Sequence, residues 1–327
     1  MVKKYTDADA DLDILKNKTV AVIGYGNQGM AQAMNMRDSG VKVIIGLRKG
    51  KTAEAAERDG FKVLSISDAT KTANIIHILI PDEAQKKVYE EDIRPNLTAG
   101  KVLGFSHAFN IYFKQVIPPN NVDVIMIAPK APGKAVRREY LNNFGVPGLL
   151  AVAQDYSGKA KQIALAMAKA VGLTRVQVIE TTFKEEVETD LFGEQVVLCG
   201  GLTELIKAGF DTLVEAGYQP EMAYYECLHE VKLIVDLIYT KGLKGMWEAV
   251  SNTAKYGGLT RGPRIINKQV RENMKQILKE IQSGQFSKEW IEEYQKGSRK
   301  LTELRAEEEK RLIEKIGSQL RHEIGLE

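Results

Sequence analysis

Two pairs of acidic residues in the second half of the chain have a spacing suited to metal chemistry. Asp190 and Glu194 form the first pair, and Glu226 and Glu230 form the second. Residues four positions apart on a helix project from one face, so each pair predicts two neighbouring carboxylates. Apolar residues flank both pairs at helical spacing: Val187, Val197 and Leu198 for the first, and Met222, Ala223, Leu233, Ile234 and Leu237 for the second. We therefore expect both pairs on core-facing stripes, where an uncompensated anion is costly.

A bound hard cation would compensate these charges. Four carboxylates with no Cys or His at ligand spacing favour Mg²⁺ or Mn²⁺ over Zn²⁺. Glu186 extends the first row by another turn, but its neighbour Glu185 indicates that this end of the row is exposed to water. The alternative interpretation, solvated acids on helix surfaces, stays open at this point.

Length and composition are typical of a soluble enzyme with two domains. The chain has 327 residues, more than one hydrophobic core usually serves. We place the two domains at residues 1–181 and 182–327. Hydrophobic residues make up 44% and charged residues 27% of the chain, which is ordinary for a globular protein. The 46 basic and 43 acidic residues leave a net charge of +3, which predicts neither a nucleic-acid partner nor a membrane surface.

The cellular compartment is predicted from two further features. The sequence opens without the pattern of a signal peptide and has no apolar run long enough to span a membrane. Its two cysteines, Cys199 and Cys227, lie in apolar helical patterns and are expected to be buried and reduced. We therefore expect a cytoplasmic protein.

A glycine-rich turn near the N-terminus predicts a dinucleotide-binding fold. The segment Gly24-Tyr25-Gly26-Asn27-Gln28-Gly29 follows a predicted strand at residues 19–23 and leads into a helix. In such folds the first glycine permits a tight turn, the second lets the backbone approach a pyrophosphate, and the third lets the helix pack closely on the strand. The pattern alone is weak evidence, but its position between a strand and a helix makes it more specific.

The loop after the next predicted strand, residues 41–46, indicates which nucleotide is bound. NAD sites usually carry Asp or Glu there, whereas this chain has Arg48, Lys49, Lys51 and Thr52. Three cations and a hydroxyl suit the 2′-phosphate of NADP, and Arg48 can also stack on adenine. The alternative is an ordinary basic surface loop.

Further predicted strands alternate with helices and complete a doubly wound sheet. They cover residues 74–79, 101–105, 122–128, 149–153 and 174–179, with a helix at 157–171 and a leading helix at 9–16. Ligands in such sheets bind beyond the carboxyl ends of the strands, which is where His107 and Lys130 lie. His77 is inside a strand and is interpreted as a core histidine, and His229 points away from the adjacent Glu230.

The second half has a helical pattern throughout. Apolar stripes run from about Thr182 to Glu280, and the charge-dense sequence after Ser287 predicts a solvated helix. Ser251 opens a polar turn beside a helix end, where it could contact a ligand or simply cap the helix. The predicted fold is α/β: an N-terminal Rossmann-type domain followed by an all-α C-terminal domain.

Together these motifs resemble those of the ketol-acid reductoisomerase family, in its short class I form, over nearly the whole chain. The motifs that carry the resemblance are the glycine turn at 24–29, the segments at 105–107 and 128–133, the acidic segment at 188–195, the segment at 225–230 and the turn at 251–253. This family converts 2-acetolactate or 2-aceto-2-hydroxybutyrate to a 2,3-dihydroxy acid in valine and isoleucine biosynthesis. It uses NADPH and Mg²⁺.

The resemblance implies a role for individual residues of this chain. Two Mg²⁺ ions are expected at Asp190, Glu194, Glu226 and Glu230, with Asp190 bridging them and Glu230 also transferring a proton. Ser251 is expected to contact the substrate, and His107 and Lys130 are the expected catalytic groups of the nucleotide domain. The expected NADP contacts are Gly24, Tyr25, Gly26, Asn27, Gln28, Gly29, Arg48, Lys51, Thr52, Asp82, Glu83, Ala84, Gln85 and Gly133.

The resemblance also implies a knotted helical domain and a homodimer with a shared active site. Glu226, Glu230 and Ser251 would then come from the partner chain, and the dimer is the minimum assembly. Neither nucleic acid nor membrane is implied as a partner.

The sequence departs from the family pattern at three places. Ala108 stands where glycine is usual, and Tyr112 replaces a frequent histidine. The loop from Leu47 is about one residue shorter than the commonest form, which leaves NADH as an alternative cofactor. Two other functions stay open: a metal-free β-hydroxyacid dehydrogenase, and a non-catalytic regulator that senses NADP.

Overall fold

A computed structural model describes residues 2–326 of the chain. These residues form two compact units that divide between Val187 and Glu188. The domain boundary after residue 181 stays a prediction, and the outermost residues of the two predicted domains, Met1 and Glu327, lie outside the described part. Each unit is described by itself below.

Within the described residues, nine strands form one sheet in the first unit. They are β1 (Lys4–Tyr5), β2 (Thr19–Ile23), β3 (Lys42–Gly46), β4 (Lys62–Leu64), β5 (Ile75–Ile78), β6 (Val102–Phe105), β7 (Asp123–Pro129), β8 (Gly148–Gln154) and β9 (Val178–Glu180). The strand order is β1-β9-β8-β7-β6-β5-β2-β3-β4. Pairing is parallel except between β1 and β9 and between β7 and β8. The predicted doubly wound sheet is confirmed.

The order of the strands reverses at β2, which pairs with β3 on one side and β5 on the other. In open α/β sheets this reversal creates the crevice in which ligands bind. All five residues of β2 and all four of β5 are buried. That burial explains why both strands are mostly apolar rather than alternating, with Thr19 and His77 as the buried polar exceptions.

Some elements of this unit were predicted with the wrong type or the wrong ends, and two strands were not predicted. The predicted leading helix at 9–16 is two 3₁₀ turns, Asp7–Asp9 and Leu12–Leu15. The strand predicted at 174–179 begins only at Val178, after a 3₁₀ turn at Leu173–Arg175. The strands β1 and β4 were missed because two or three residues carry no readable period.

Within residues 2–326, seven α-helices precede the last strand. They are α1 (Asn27–Asp38), α2 (Lys51–Arg58), α3 (Ile66–Thr72), α4 (Asp82–Val88), α5 (Phe109–Tyr112), α6 (Gly133–Leu141) and α7 (Ala160–Val171). Helices α1, α2, α3 and α7 contact strands of the sheet, and α1 also packs against α6 and α7. A π-helical segment, Tyr89–Ile93, and a 3₁₀ turn, Arg94–Asn96, follow α4.

The remaining helices confirm the predicted all-helical second half. They are α8 (Phe183–Gly193), α9 (Gly200–Glu215), α10 (Pro220–Tyr224), α11 (Glu230–Ala249), α12 (Asn252–Ile265), α13 (Lys268–Gln282), α14 (Gln285–Gln295), α15 (Arg299–Lys310) and α16 (Leu312–Glu323). Phe210, Tyr224 and Ile313 lie in the small buried core of this unit. The knot implied by the resemblance stays a prediction.

Two π-helical segments interrupt the helices of the second unit. One, Glu194–Leu198, joins α8 to the residues before α9, and the other, Tyr225–His229, joins α10 to α11. Such wide turns cost hydrogen-bond geometry and are frequent at functional sites. Each of them contains or adjoins an acid of the two predicted pairs.

The buried His77 makes the stability of the first unit sensitive to acid. Its side chain is fully buried in β5, as predicted, and burial lowers the pKa of its imidazole to about 4. The unfolded chain, with an ordinary pKa near 6.5, therefore binds a proton first as the pH falls. We expect His77 alone to remove about 3 kcal/mol of unfolding free energy between pH 6.5 and 4.

Urea unfolding at a series of pH values measures this effect. His77→Gln should flatten the decline of unfolding free energy below pH 6.5, whereas the exposed His322→Gln should leave its slope unchanged. An identical pH slope in wild type and His77→Gln would contradict the assignment.

Among residues 2–326, no helix is both long enough and apolar enough to cross a membrane.

Candidate active site

The glycine turn between β2 and α1 leaves room for a ligand at one position only. Gly24 has a φ of +105°, and a Cβ there would lie 2.7 Å from the carbonyl oxygen of Leu79. A Cβ on Gly29 would lie 2.4 Å from the carbonyl oxygen of Gly24. A Cβ on Gly26 would meet nothing within 4 Å. The first and third glycines are thus required by packing, and the backbone at Gly26 faces open space, as a pyrophosphate site needs.

The segment after β7 packs directly on this turn. A Cβ on Gly133 would lie 2.0 Å from the carbonyl oxygen of Asn27, so only glycine fits there. The side-chain amide of Gln28 donates to the carbonyl oxygen of Ala131 at 2.9 Å. The exposed Lys130 therefore lies in a loop that is tied to the start of α1.

A buried glutamine connects the turn to a second loop. Gln32, on α1, has no exposed surface, and its Nε2 donates to Gln28 at 3.1 Å and to Ser106 Oγ at 3.0 Å. Its Oε1 lies 2.9 Å from Nε2 of His77. Ser106 Oγ in turn donates to the carbonyl oxygen of Ile127 at 2.8 Å. This network fixes the position of the loop that carries His107, and the sequence pattern did not reveal it.

The residues predicted to bind the 2′-phosphate follow β3 in the chain. Arg48, Lys51 and Thr52 are all exposed. Lys51 and Thr52 form the first turn of α2, whose N-cap, Gly50, provides no side-chain capping bond. The backbone N–H groups at that helix end and the nearby cations together suit a phosphate group.

His107 lies just beyond the carboxyl end of β6, as predicted. Its Nδ1 is 2.6 Å from Oδ2 of Asp82, the first residue of α4. Ala108 follows it in αR conformation, with φ −81° and ψ −5°. Alanine adopts that conformation readily, so the departure from glycine is tolerated here.

Glu186 is buried, so the prediction that this end of the acidic row is exposed to water was wrong for this residue. Its side chain is only 1% exposed, and Oε2 accepts a hydrogen bond of 2.9 Å from the backbone N–H of Ala108. His107 and Glu186 offer potential ligand atoms within 4.8 Å of each other. Its neighbour Glu185 is exposed as expected. The spacing of four from Asp190 was the correct signal, and the adjacent acid was misleading.

The predicted core-facing stripes are only partly buried in the isolated chain. Val187 and Leu191 are buried beside Asp190, which is half-buried. Val197 and Leu198, however, are 54% and 65% exposed, and so the prediction for that side was wrong. The pattern was apolar, but both side chains are more than half exposed among the described residues.

The second acidic pair shows the same behaviour. Glu226 and Glu230 are exposed, as are Met222 and Leu233 on their flanks. Within residues 2–326, Glu194, Glu226 and Glu230 belong to no group of three or more potential ligand side chains with atoms within 4.8 Å. One chain therefore does not gather the four acids into a single cluster.

Two remaining predictions concern smaller side chains. Ser251 is the N-cap of α12, where its Oγ accepts a hydrogen bond of 3.1 Å from the backbone N–H of Ala254. Capping leaves the hydroxyl proton able to donate to a ligand. Cys199 is exposed and Cys227 is half-buried, so the prediction that both are buried was wrong; both are free thiols.

The donor sets present fit the groups that the resemblance implies. Asp190 and Glu194 offer carboxylate oxygens, the donors that Mg²⁺ prefers. The open backbone at Gly26 and the cationic loop at Arg48 suit the pyrophosphate and the 2′-phosphate of NADP.

Comparison with known proteins agrees with both halves of this description. Residues 14–177 match the acetohydroxy acid isomeroreductase NADPH-binding domain, and residues 183–325 match the ketol-acid reductoisomerase C-terminal domain. The ketol-acid reductoisomerase (NADP(+)) of Methanocaldococcus jannaschii is 61% identical over 100% of this chain and 99% of that protein. The enzyme of the same name from Pyrococcus abyssi is 60% identical with the same coverage.

A solved structure extends the comparison to the fold. An NADH-preferring ketol-acid reductoisomerase from an uncultured archean has a TM-score of 0.95 and 51% identity, covering 98% of each chain. A semialdehyde dehydrogenase NAD-binding protein from Cupriavidus necator, with 17% identity and a TM-score of 0.62, shares the fold alone. The two family matches, together with the full-length relatives, show that this chain belongs to the ketol-acid reductoisomerase family.

Proposed function

We propose that the chain is an NADP- and Mg²⁺-dependent ketol-acid reductoisomerase of valine and isoleucine biosynthesis. It converts 2-acetolactate or 2-aceto-2-hydroxybutyrate, by alkyl migration and then reduction, to the corresponding 2,3-dihydroxy acid. The observation that carries the proposal is the order of parts in one chain. A dinucleotide-binding sheet with the glycine turn of residues 24–29 precedes a helix that carries the half-buried Asp190.

Different side chains have different roles in the proposed reaction. When bound, two Mg²⁺ ions at Asp190, Glu194, Glu226 and Glu230 supply Lewis-acid polarisation of the substrate oxygens, and NADPH supplies the hydride. Glu230 accepts the proton that the substrate hydroxyl loses, and it returns a proton once the alkyl group has migrated. The ammonium group of Lys130 stabilises the negative charge that develops on the oxygen of the keto group under reduction. Ser251 donates a hydrogen bond to the substrate.

We propose that the active site is shared between two copies of the chain. In one copy Glu226 and Glu230 are exposed, and large apolar side chains farther along α11 are exposed as well. Tyr239 is 87% and Leu243 is 66% exposed on α11. Several large apolar side chains exposed on one helix favour an interface at this surface. A second copy would cover it and bring its own acids to the first pair.

Both nucleotides are candidate hydride donors, with NADPH preferred. Arg48 and the first turn of α2 suit a 2′-phosphate, whereas the loop is short and one relative with a known structure is NADH-preferring. We further propose a cytoplasmic location, which suits two free thiols and a soluble pyridine nucleotide.

Replacing Arg48 with Asp should weaken the use of NADPH and spare that of NADH. Loss of a charge-assisted bond to phosphate, at about 1.5–3 kcal/mol, raises the KM for NADPH by roughly 10–100-fold. Steady-state KM values for both nucleotides measure the effect. Lys42→Gln, an exposed change at the opposite end of β3, serves as the control. Equal changes in both KM values would contradict a 2′-phosphate contact.

The proposed activity is tested by NADPH oxidation with 2-acetolactate, with Mg²⁺, with EDTA, and then with NADH in place of NADPH. We expect turnover only with Mg²⁺. Activity that persists in EDTA would indicate a metal-free β-hydroxyacid dehydrogenase. Nucleotide binding without any turnover would indicate an NADP-sensing regulator.

A further inference from the structure

The imidazole of His107 has a carboxylate partner that the sequence patterns assign to another role. Oδ2 of Asp82 lies 2.6 Å from Nδ1 of His107, and the two side chains are 24% and 22% exposed. The resemblance places Asp82 among the nucleotide contacts. Its carboxylate, however, is turned toward side chains of its own unit.

Two buried amides hold that carboxylate in place. Nδ2 of Asn110 donates to Oδ1 of Asp82 at 3.0 Å and also to the backbone oxygen of Asp82 at 3.1 Å. Nε2 of Gln85 donates to the same Oδ1 at 3.2 Å. Asn110 is 1% and Gln85 is 4% exposed, so these donors have little freedom to move. Oδ1 is therefore occupied, and Oδ2 is the atom that faces His107.

This arrangement determines which imidazole nitrogen carries hydrogen. An ionised carboxylate only accepts hydrogen bonds, so Nδ1 of His107 must be the donor. In a neutral imidazole the other nitrogen, Nε2, then has a lone pair and accepts. Loss of the Asp82 carboxylate would remove the bond that fixes Nδ1 as the donor.

We propose that Asp82, supported by Asn110, is a positioning residue that fixes the tautomer and orientation of His107. His107 thereby presents Nε2 as an acceptor for an O–H group of the substrate or of a water molecule beside it. Carboxylate partners act on functional histidines in the same way at metal sites, where their loss costs about 10–100-fold in activity or affinity. The kinetic part of the proposal rests on the proposed function.

A double-mutant cycle tests whether Asp82 acts through His107. Asp82→Asn preserves the shape but lets the amide donate to Nδ1, so we expect kcat at saturating NADPH and Mg²⁺ to fall by about 10–100-fold. In the His107→Gln background, the same substitution should cost less than about twofold. The Kd for NADPH, measured by fluorescence, should stay unchanged. Asp92→Asn removes another half-buried, hydrogen-bonded carboxylate of this unit and should leave kcat unchanged.

A spectroscopic measurement tests the tautomer independently of any activity. The chain contains four histidines, so ¹⁵N-histidine spectra resolve His107 by its loss in His107→Gln. We expect the neutral form of the ring to carry its proton on Nδ1, and this pattern to change in Asp82→Asn and in Asn110→Leu.

Three results would overturn the proposal: an Nε2–H tautomer in the wild type, an equal loss of kcat from Asp82→Asn in both backgrounds, or a loss confined to NADPH affinity. The spectrum tests the tautomer of His107 even when no reductoisomerase activity is found. Failure of the proposed function is therefore distinguishable from failure of this inference.

Discussion

Replacing Asp190 with Asn is expected to lower kcat by on the order of 10³-fold, because Lewis-acid stabilisation contributes several kcal/mol at the transition state. Asp190 is the half-buried acid of the first pair, one helical turn beyond the buried Glu186 on α8. Asparagine keeps the size of the side chain but removes the charge that the cations need. Binding of Mg²⁺ should weaken together with kcat.

Two measurements check this expectation: turnover across a range of Mg²⁺ concentrations, and calorimetric titration of the variant with Mg²⁺. Glu185→Gln is the matched control, since it removes an exposed carboxylate from the same helix and should leave both quantities unchanged. Thermal unfolding distinguishes loss of the site from loss of the fold. If the Asp190→Asn variant is folded and binds Mg²⁺ with wild-type affinity, then Asp190 is not a metal ligand.

The centre of the sheet could be predicted from sequence because strands such as β2, β5 and β6 are buried on both faces. Four of the five residues of β2 are apolar, and the first and third glycines of the turn that follows have packing requirements that no other residue meets. The two-residue β1 and the three-residue β4 could not be predicted in this way. β1 pairs with β9, which is distant in sequence, and β4 pairs with β3. Each of these short segments is a strand only because of contacts made in the folded sheet.

The polar surroundings of the site were less predictable than its principal residues. His107 was predicted as a site residue because it follows a strand, but its hydrogen-bond partner Asp82 lies 25 positions earlier in the chain. Gln32 and Asn110 belong to no sequence motif, and only the structure shows that they are buried and hydrogen-bonded to neighbouring side chains. A side chain that positions another one leaves no periodic signal, since the tertiary fold alone brings the two together.

The apolar stripes beside the acids show a different limit. Val197 and Leu198 were correctly recognised as residues that favour burial, yet they are exposed in one chain. A hydrophobic pattern predicts that a surface is buried, but it does not indicate whether the residues that bury it belong to the same chain. The proposed second copy resolves this difference, and it leads to the second large effect.

Two inactive variants, Asp190→Asn and Glu226→Gln, are expected to restore activity when they are co-expressed. If the first pair of acids comes from one chain and the second pair from its partner, each mixed dimer has one site with both substitutions and one intact site. Random pairing then yields about a quarter of wild-type activity, and purified mixed dimers yield about half. Different affinity tags on the two chains allow the mixed dimers to be isolated.

Pairing Asp190→Asn with Glu194→Gln provides the decisive control. These two acids follow one another on a single helical run, α8 and the π-helical segment after it, so they must enter a site from the same chain. Every site in their mixed dimer carries one defect, and no activity should return. Recovery with Glu226→Gln but not with Glu194→Gln would establish sharing between chains. Equal absence of recovery in both pairings would place all four acids in one chain, and the exposed apolar surface would then need another explanation.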